Sequence, residues 1–268
     1  MRHVMTFALF AIFSSMSVAR AETVVLCTAI ADAATGRLIR QEGDCGTRVT
    51  PASTFKIAIG LMGYDSGILR DAHRPAMPFR KGYPDWVANW RTTTNPTSWM
   101  KNSVVWYSQQ ITKSLGETHF RNYVKQFHYG NEDISGDPGK RNGLTRAWLS
   151  SSLKISPLEQ LGFIQKIVRR ELPVSPHAYE IINQLTGIGI QTGGWRVHGK
   201  TGSGFPRKQD GALDRYKGYG WFVGWATREG RTVAFARLIQ GDGRQTVPLG
   251  IQARDAVLRD LFSTPNTL

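Results

Sequence analysis

Beyond an apolar leader, the pattern of hydrophobic and polar positions runs from strand-like to helical and back again. Val24 to Asp32 and Arg37 to Gln41 are rich in β-branched residues and partly alternate, which predicts two strands around the turn signal Ala34-Thr35-Gly36. From Pro51 the spacing becomes helical. Phe55, Ile57, Ile59, Leu61 and Met62 predict an apolar helix opened by Pro51 and stopped near Ser66-Gly67. Further helices are predicted near 103–115, 118–127, 157–171 and 176–186, between loops rich in Pro, Gly and Asn. Residues 70–100, with Trp86, Trp90 and Trp99, read as a packed irregular segment. The last third turns strand-like again. WRVHGKTGSG predicts a strand, YGWFVGWATREGRTVAFARLIQG a hairpin turning at Arg228-Glu229-Gly230, and 248–262 a closing helix. Strands at both ends and helices between them predict an α/β fold of the α+β type. Both chain termini build one mostly antiparallel sheet, flanked by helices, and an all-helical insert forms a cleft against it.

The leader changes the compartment. Arg2 and His3, an apolar run and Ala19-Arg20-Ala21 predict a signal peptide over 1–21 that is cleaved on export. The run falls short of the ~20 residues a membrane anchor needs. Leu26 is too bulky for a lipoprotein signal ending at Cys27. The expected mature protein is periplasmic, without a membrane anchor. It is one catalytic domain over 22–268: 22–50 and 190–268 form the mixed sheet and helix part, and 51–189 the mainly helical part.

Composition narrows this less. With 268 residues, 41% hydrophobic and 20% charged, the chain can bury an ample core. The formal charge of +14 becomes +12 once Arg2 and Arg20 leave, but the basic residues are scattered, with no run longer than pairs such as Arg80-Lys81 and Arg169-Arg170. No nucleic-acid partner is expected. A positive field suits anionic small molecules or anionic cell surfaces. The six histidines show no metal-ligand spacing, so no metal is expected. Cys27 and Cys45 lie nearly equidistant from the first turn, and hairpin pairing would bring them close to opposite each other. An exported chain can bridge them; two buried free thiols is the alternative. Oligomeric state is not legible.

Candidate chemistry starts from Ser-x-x-Lys, which occurs three times: Ser53/Lys56, Ser98/Lys101 and Ser151/Lys154. Only Ser53 lies in the first turn of a predicted buried helix. There the helix dipole favours a developing alkoxide, and i,i+3 spacing sets Lys56 on the same face. No G-x-S-x-G elbow is present, so lysine is left as the base. Lys200-Thr201-Gly202 ends a predicted strand and offers a cation, a hydroxyl and edge N–H groups to an anionic substrate. Ser103-Val104-Val105 is read as starting a helix after Asn102, and Tyr129-Gly130-Asn131 as lying in a loop.

In this order, S-x-x-K, S-x-V, Y-G-N and K-T-G resemble the class D serine β-lactamases, the oxacillinases. PASTFKI, NSVVWYSQ, WLSSSLKISPLEQ, KTGSG and YGWFVGW extend the likeness over nearly the whole mature chain. Class A enzymes are disfavoured because S-D-N is missing. The resemblance implies a β-lactamase/penicillin-binding transpeptidase-like fold and hydrolysis of β-lactam antibiotics, hence resistance to them. Ser53 would be acylated by the lactam carbonyl. Lys56 would be N-carboxylated by CO2 or bicarbonate and act as base for acylation and deacylation, with no other cofactor. Ser103 would relay a proton to the lactam nitrogen, and the N–H groups of Ser53 and Ser203 would form the oxyanion hole. Thr201 and Arg254, with Lys200 and Gly202 nearby, would hold the substrate carboxylate. Trp148 would hydrogen-bond the carbamate while Val105 and Leu149 keep it dry, with Tyr129 and Asn131 in a supporting motif. Ser203 departs from the aromatic residue the family often has after K-T-G, and Arg259 is the second choice for the role of Arg254. The alternative is a penicillin-binding protein or β-lactam sensor domain that is acylated and not turned over.

A dry pocket is also what lysine chemistry demands. An ordinary amine, with pKa ~10.4, is almost wholly protonated at neutral pH and can neither act as base nor capture CO2. Burial can lower it by up to about 3–5 units.

Overall fold

The protein is described by a computed structural model over residues 22–264; the expected leader at 1–21 lies outside the described residues. Strands β1 (Thr23–Asp32) and β2 (Leu38–Gly43) form the N-terminal hairpin. Cys27 lies opposite Gly43, and a disulfide joins Cys27 to Cys45 with their Cα atoms 5.1 Å apart. Strands β3 (Gly187–Ile190), β4 (Arg196–Gly204), β5 (Tyr219–Arg228) and β6 (Arg231–Gly241) follow the helical part. All pair antiparallel in one six-stranded sheet, in the order β2-β1-β6-β5-β4-β3. The β5–β6 turn closes from Arg228 to Arg231 through Glu229 and Gly230, both at positive φ (50° and 77°), a conformation that matches the strand twist. Because β6 lies beside β1, with Phe235 opposite Ile30, the two ends of the described chain share one sheet, as their alternation predicts.

Both sheet faces are covered, which explains why β5 and β6 are apolar at nearly every position. Tyr219, Trp221, Val223 and Trp225 face the large core under the helices. Phe222 and Ala226, with Val197, Phe235 and Ile239, face α7 (Leu249–Phe262) through its Val257 and Leu261.

The helical part centres on α1 (Lys56–Asp65), which follows a 3-10 turn at Ala52–Phe55 and is buried on every side from Lys56 to Tyr64. Gly60 lets α6 (Pro176–Thr186) come close, since a Cβ there would meet Ile182 Cδ1 at 2.3 Å. Helix α5 (Pro157–Val168) starts at a reciprocal cap between Ser156 and Glu159, and α6 at Ser175; each carries proline at its first position. Helix α5 ends before the expected residue 171, because Arg170 turns left-handed (φ 57°).

Two local readings change. A helix missed in the sequence, α2 (Pro96–Asn102), is capped by Asn95 with Ser98 bonding back to it. Ser103 therefore does not start a helix. It ends α2 in the left-handed region (φ 55°), and α3 (Val105–Gln126) begins two residues later, with a break at Gly116 between its two expected halves. The segment over 70–100 packs Trp90 and Trp99 inside but leaves Trp86 62% exposed. A further short helix, α4 (Gly143–Arg146), precedes Trp148.

Candidate active site

The 3-10 turn that carries Ser53 is braced from below. Thr54 Oγ1 donates to Pro51 O (2.7 Å) and accepts from Gln160 Nε2 (2.8 Å), and Gln160 Oε1 lies 3.5 Å from the Tyr129 hydroxyl. From the side, Ala52 N–H donates to Trp148 O (3.1 Å). Ala52 sits at φ 50°, a left-handed conformation an L-residue adopts at a cost of roughly 1–2 kcal/mol. Ser103 and Ser150 (φ 53°) share it. Ala52 and Ser150 line one cleft, Ser103 is bonded to Lys200 and Ser150 to Phe205 N, so each strained residue is tied to β4 or its end or to the cleft beside it.

Ser53 Oγ lies 3.1 Å from Lys56 Nζ. Lys56 is 0% exposed in a core that also contains Phe55, Val105, Trp148 and Leu149. Burial pulls its pKa well below the ordinary range, and the nearby charge of Lys200 adds to this. The indole of Trp148 packs against Phe55 (ring centroids 5.7 Å apart), and its Nε1 is buried without a hydrogen-bond partner among the described residues. A buried N–H without an acceptor is uncommon and costly, by about 1–3 kcal/mol.

The opposite wall is β4. Gly202 has no Cβ because one would lie 2.8 Å from Pro51 O and 3.1 Å from Thr54 N; its absence lets the strand touch the Ser53 turn. Lys200 is only 5% exposed, and its Nζ donates to Ser103 Oγ and to Thr201 O (3.1 Å). Burial, and secondly the positive charge of Arg254, bring its pKa down to about 7. Lys200, Thr201 and Arg254 line one side of a cleft of about 440 Å³. Arg254, on α7, also pairs with its neighbour Asp255 (2.7 Å). Ser203 uses its hydroxyl to accept from Gly250 N (2.9 Å), tying β4 to the first turn of α7. Arg259 is well exposed and pairs with Asp260 at 3.1 Å, away from this cleft.

A nucleophile beside a dry lysine, a second lysine on a serine hydroxyl and a cationic strand edge thus meet in one cleft. Residues 26–263 match the family described as the penicillin binding protein transpeptidase domain. β-Lactamase OXA-9 of Klebsiella pneumoniae is 45% identical over 91% of this chain and 90% of its own length. β-Lactamase OXA-1 of Escherichia coli is 37% identical over 85% of this chain and 80% of its own. The crystal structure of the class D β-lactamase OXA-427 superposes with a TM-score of 0.83 at 45% identity, over 88% of this chain and 96% of that one. The chain belongs to the class D β-lactamase family.

In this class D β-lactamase the Tyr129-Gly130-Asn131 triplet stands behind the cleft. Tyr129 is fully buried between Phe55 and Phe163. Asn131 donates to Ser152 O and accepts from Lys154 N (both 2.8 Å), while Gly130 (φ 59°) leaves room for Lys154 O. The triplet therefore pins the segment that carries Trp148. The two rival serine–lysine pairs have other work. Ser98 bonds back to the Asn95 cap of α2, Ser151 donates to Asp137 (2.8 Å), and Lys101 and Lys154 are exposed. Gln160 escaped the sequence reading. Its signal was a polar residue four positions before Ile164 on the core-facing stripe of α5. Among the described residues no group of three or more His, Cys, Asp or Glu is placed to hold a metal ion.

Proposed function

We propose that this protein hydrolyses β-lactam antibiotics through an ester on Ser53 and so confers resistance to them. The observation that carries the reading is the Lys56 amine, sealed from solvent and 3.1 Å from Ser53 Oγ, in a core that also buries the Trp148 indole N–H without an acceptor among the described residues. Together these residues fit a carbamate on Lys56. The amine is dry enough to be neutral, and Trp148 Nε1 is a donor free to meet an anionic oxygen. Carbon dioxide taken up by Lys56 would supply a carboxylate base beside Ser53.

The remaining steps fall to the chain's own groups. The substrate carboxylate docks against Lys200, Thr201 and Arg254. Its lactam carbonyl then lies between Ser53 and the end of β4, where the N–H groups of Ser53 and Ser203 stabilise the oxyanion. Ser53 Oγ bonds to the carbonyl carbon, and the carbon–nitrogen bond breaks. The nitrogen takes its proton from Ser103 Oγ, which Lys200 Nζ holds and reprotonates, and the proton given up by Ser53 balances the one delivered to the nitrogen. Water then adds to the ester, and Ser53 leaves with its proton restored. Val105 and Leu149 keep bulk water off Lys56. The cleaved leader would deliver the enzyme to the periplasm, and no helix among the described residues is long and apolar enough to cross a membrane.

Steady-state hydrolysis of a chromogenic cephalosporin, with and without added bicarbonate, tests this. Sustained turnover that rises with bicarbonate is expected. A single stoichiometric burst would instead identify a sensor. The regulatory protein BlaR1 of Bacillus licheniformis is 32% identical, but this chain covers only 30% of its length.

A further inference from the structure

The bicyclic β-lactam has two ends. With its ring carboxylate at Lys200, Thr201 and Arg254, and its carbonyl at Ser53 and Ser203, the acyl side chain must leave in the opposite direction along β4. That direction leads past Gly204 to Phe205, into a second cleft of about 410 Å³ that also contains Ser203 and Ala52. Its apolar walls are Trp86, Leu149, Leu213 and Phe205, and its polar groups include Arg146 and Arg215. No carboxylate lines it among the described residues.

The two arginines are not equivalent. Arg146 lies 3.4 Å from Asp137, which also holds Arg207 at 2.6 Å. Arg215 lies over the Phe205 ring, 5.5 Å from its centroid, and no ion pair engages it among the described residues. The carboxylates nearest in the chain, Asp214 and Asp210, accept from Tyr216 N (3.1 Å) and Ala212 N (2.8 Å), and Asp242 pairs with Lys217 (2.9 Å). Arg215 also borders the neighbouring cleft of about 610 Å³, where the other cation is Arg244 and again no described residue is acidic. The end of the site that takes the acyl side chain thus joins an aromatic and aliphatic trough to an uncompensated guanidinium.

Building on the β-lactamase reading, we propose that Arg215 selects β-lactams whose acyl side chain carries a second anionic group beside an aromatic ring. The ring would lie against Trp86, Leu149 and Leu213, and the added carboxylate or sulfonate would meet the Arg215 guanidinium. Trp86, 62% exposed, and Phe205 are the residues that make this trough aromatic.

Benzylpenicillin and its α-carboxy derivative differ only by that carboxylate, so their kcat/KM ratio reads the contact directly. Arg215→Gln should lower kcat/KM for the α-carboxy compound by about fivefold, the scale of a partly exposed ion pair, and leave benzylpenicillin within about twofold. Raising ionic strength from about 0.05 M to about 0.5 M should erode the wild-type preference in the same sense. Lys217→Gln removes a nearby cation that already has a partner, and it should leave the ratio alone. An unchanged ratio in Arg215→Gln, or an equal shift in Lys217→Gln, would overturn the proposal. If neither penicillin is turned over, the hydrolase reading fails by itself. The ratio of acylation rate constants at Ser53, followed by mass spectrometry, then tests Arg215 instead. A fall confined to Arg215→Gln supports the contact, and an unchanged ratio overturns it.

Discussion

The two walls of the cleft each bury a lysine, and the two lysines differ in what surrounds them. Lys56 comes from the helical wall, with a single hydroxyl in reach and an apolar core around it. Lys200 comes from the sheet wall, bonded to Ser103 and Thr201 and facing the charge of Arg254. Burial lowers both pKa values, but it leads to different chemistry. Lys56 is stripped toward a neutral nucleophilic amine, whereas Lys200 at about 7 remains a proton carrier that can be charged or neutral near physiological pH. In the proposed mechanism, identical functional groups take different parts, Lys56 on the side of the base and Lys200 behind the Ser103 relay, through their neighbours alone.

The largest test of this contrast is Lys56→Ala. It should reduce kcat by roughly 10⁴-fold or more, in line with losing one member of a cooperating catalytic set. The variant should fold normally, with a melting temperature no lower than wild type, and bicarbonate should no longer affect it. An active, bicarbonate-insensitive variant would dissolve the distinction between the two lysines.

Stability against pH sharpens the Lys200 side. Its folded pKa of about 7 lies below the ~10.4 of an unfolded lysine, so between those values the unfolded chain binds more protons. Stability from this group therefore rises with pH through that window and is complete above about 10.4. At ~1.36 kcal/mol per unit, the gain from about pH 7 to about pH 9.5 is on the order of 3 kcal/mol. Chemical denaturation of wild type and Lys200→Met in CO2-free buffer reads it. The variant should show the flatter dependence, and parallel curves would remove Lys200 from the account.

Trp148→Phe keeps an aromatic ring against Phe55 but deletes the indole N–H, together with part of the bicyclic ring. It should slow deacylation by roughly 10²-fold, the scale of one lost donor to a reacting anion, and acylation much less. Ester accumulated on Ser53 would be visible by mass spectrometry; equal slowing of both steps would deny the indole its special place. The smallest effect belongs to the support behind the cleft. Asn131→Ala removes two bonds to the 152–154 segment and should cost about 1–2 kcal/mol of stability, measured by denaturation, with a modest fall in kcat.

Much of this was legible in the residues. Strand-like runs marked the six-stranded sheet's N-terminal hairpin and β4 to β6, and helical segments between Pro-, Gly- and Asn-rich loops marked α5 and α6. Motif order placed Ser53, Lys56, Ser103 and Lys200 in one cleft, and the fold brings those four side chains together in two bonded pairs. Three features were hidden. Helix α2 is short and polar, and its cap depends on Asn95 and Ser98 acting together. The left-handed turn at Ser103 is offset by contacts with distant residues, which no local propensity reports. Gln160 looks like a stray polar residue on an apolar stripe until Thr54 and Tyr129 are seen beside it.

By itself the chain order of apolar, polar and small residues determined which segments are strands, which are helices, and which hydroxyl and amine share a helical turn. Those properties depend on neighbours a few positions away. The protonation of Lys56, the empty donor on Trp148 and the approach of β4 to the Ser53 turn were decided only by tertiary structure. Each depends on how completely remote segments exclude water or permit contact. Solvent exclusion belongs to the assembled molecule and to no stretch of it alone.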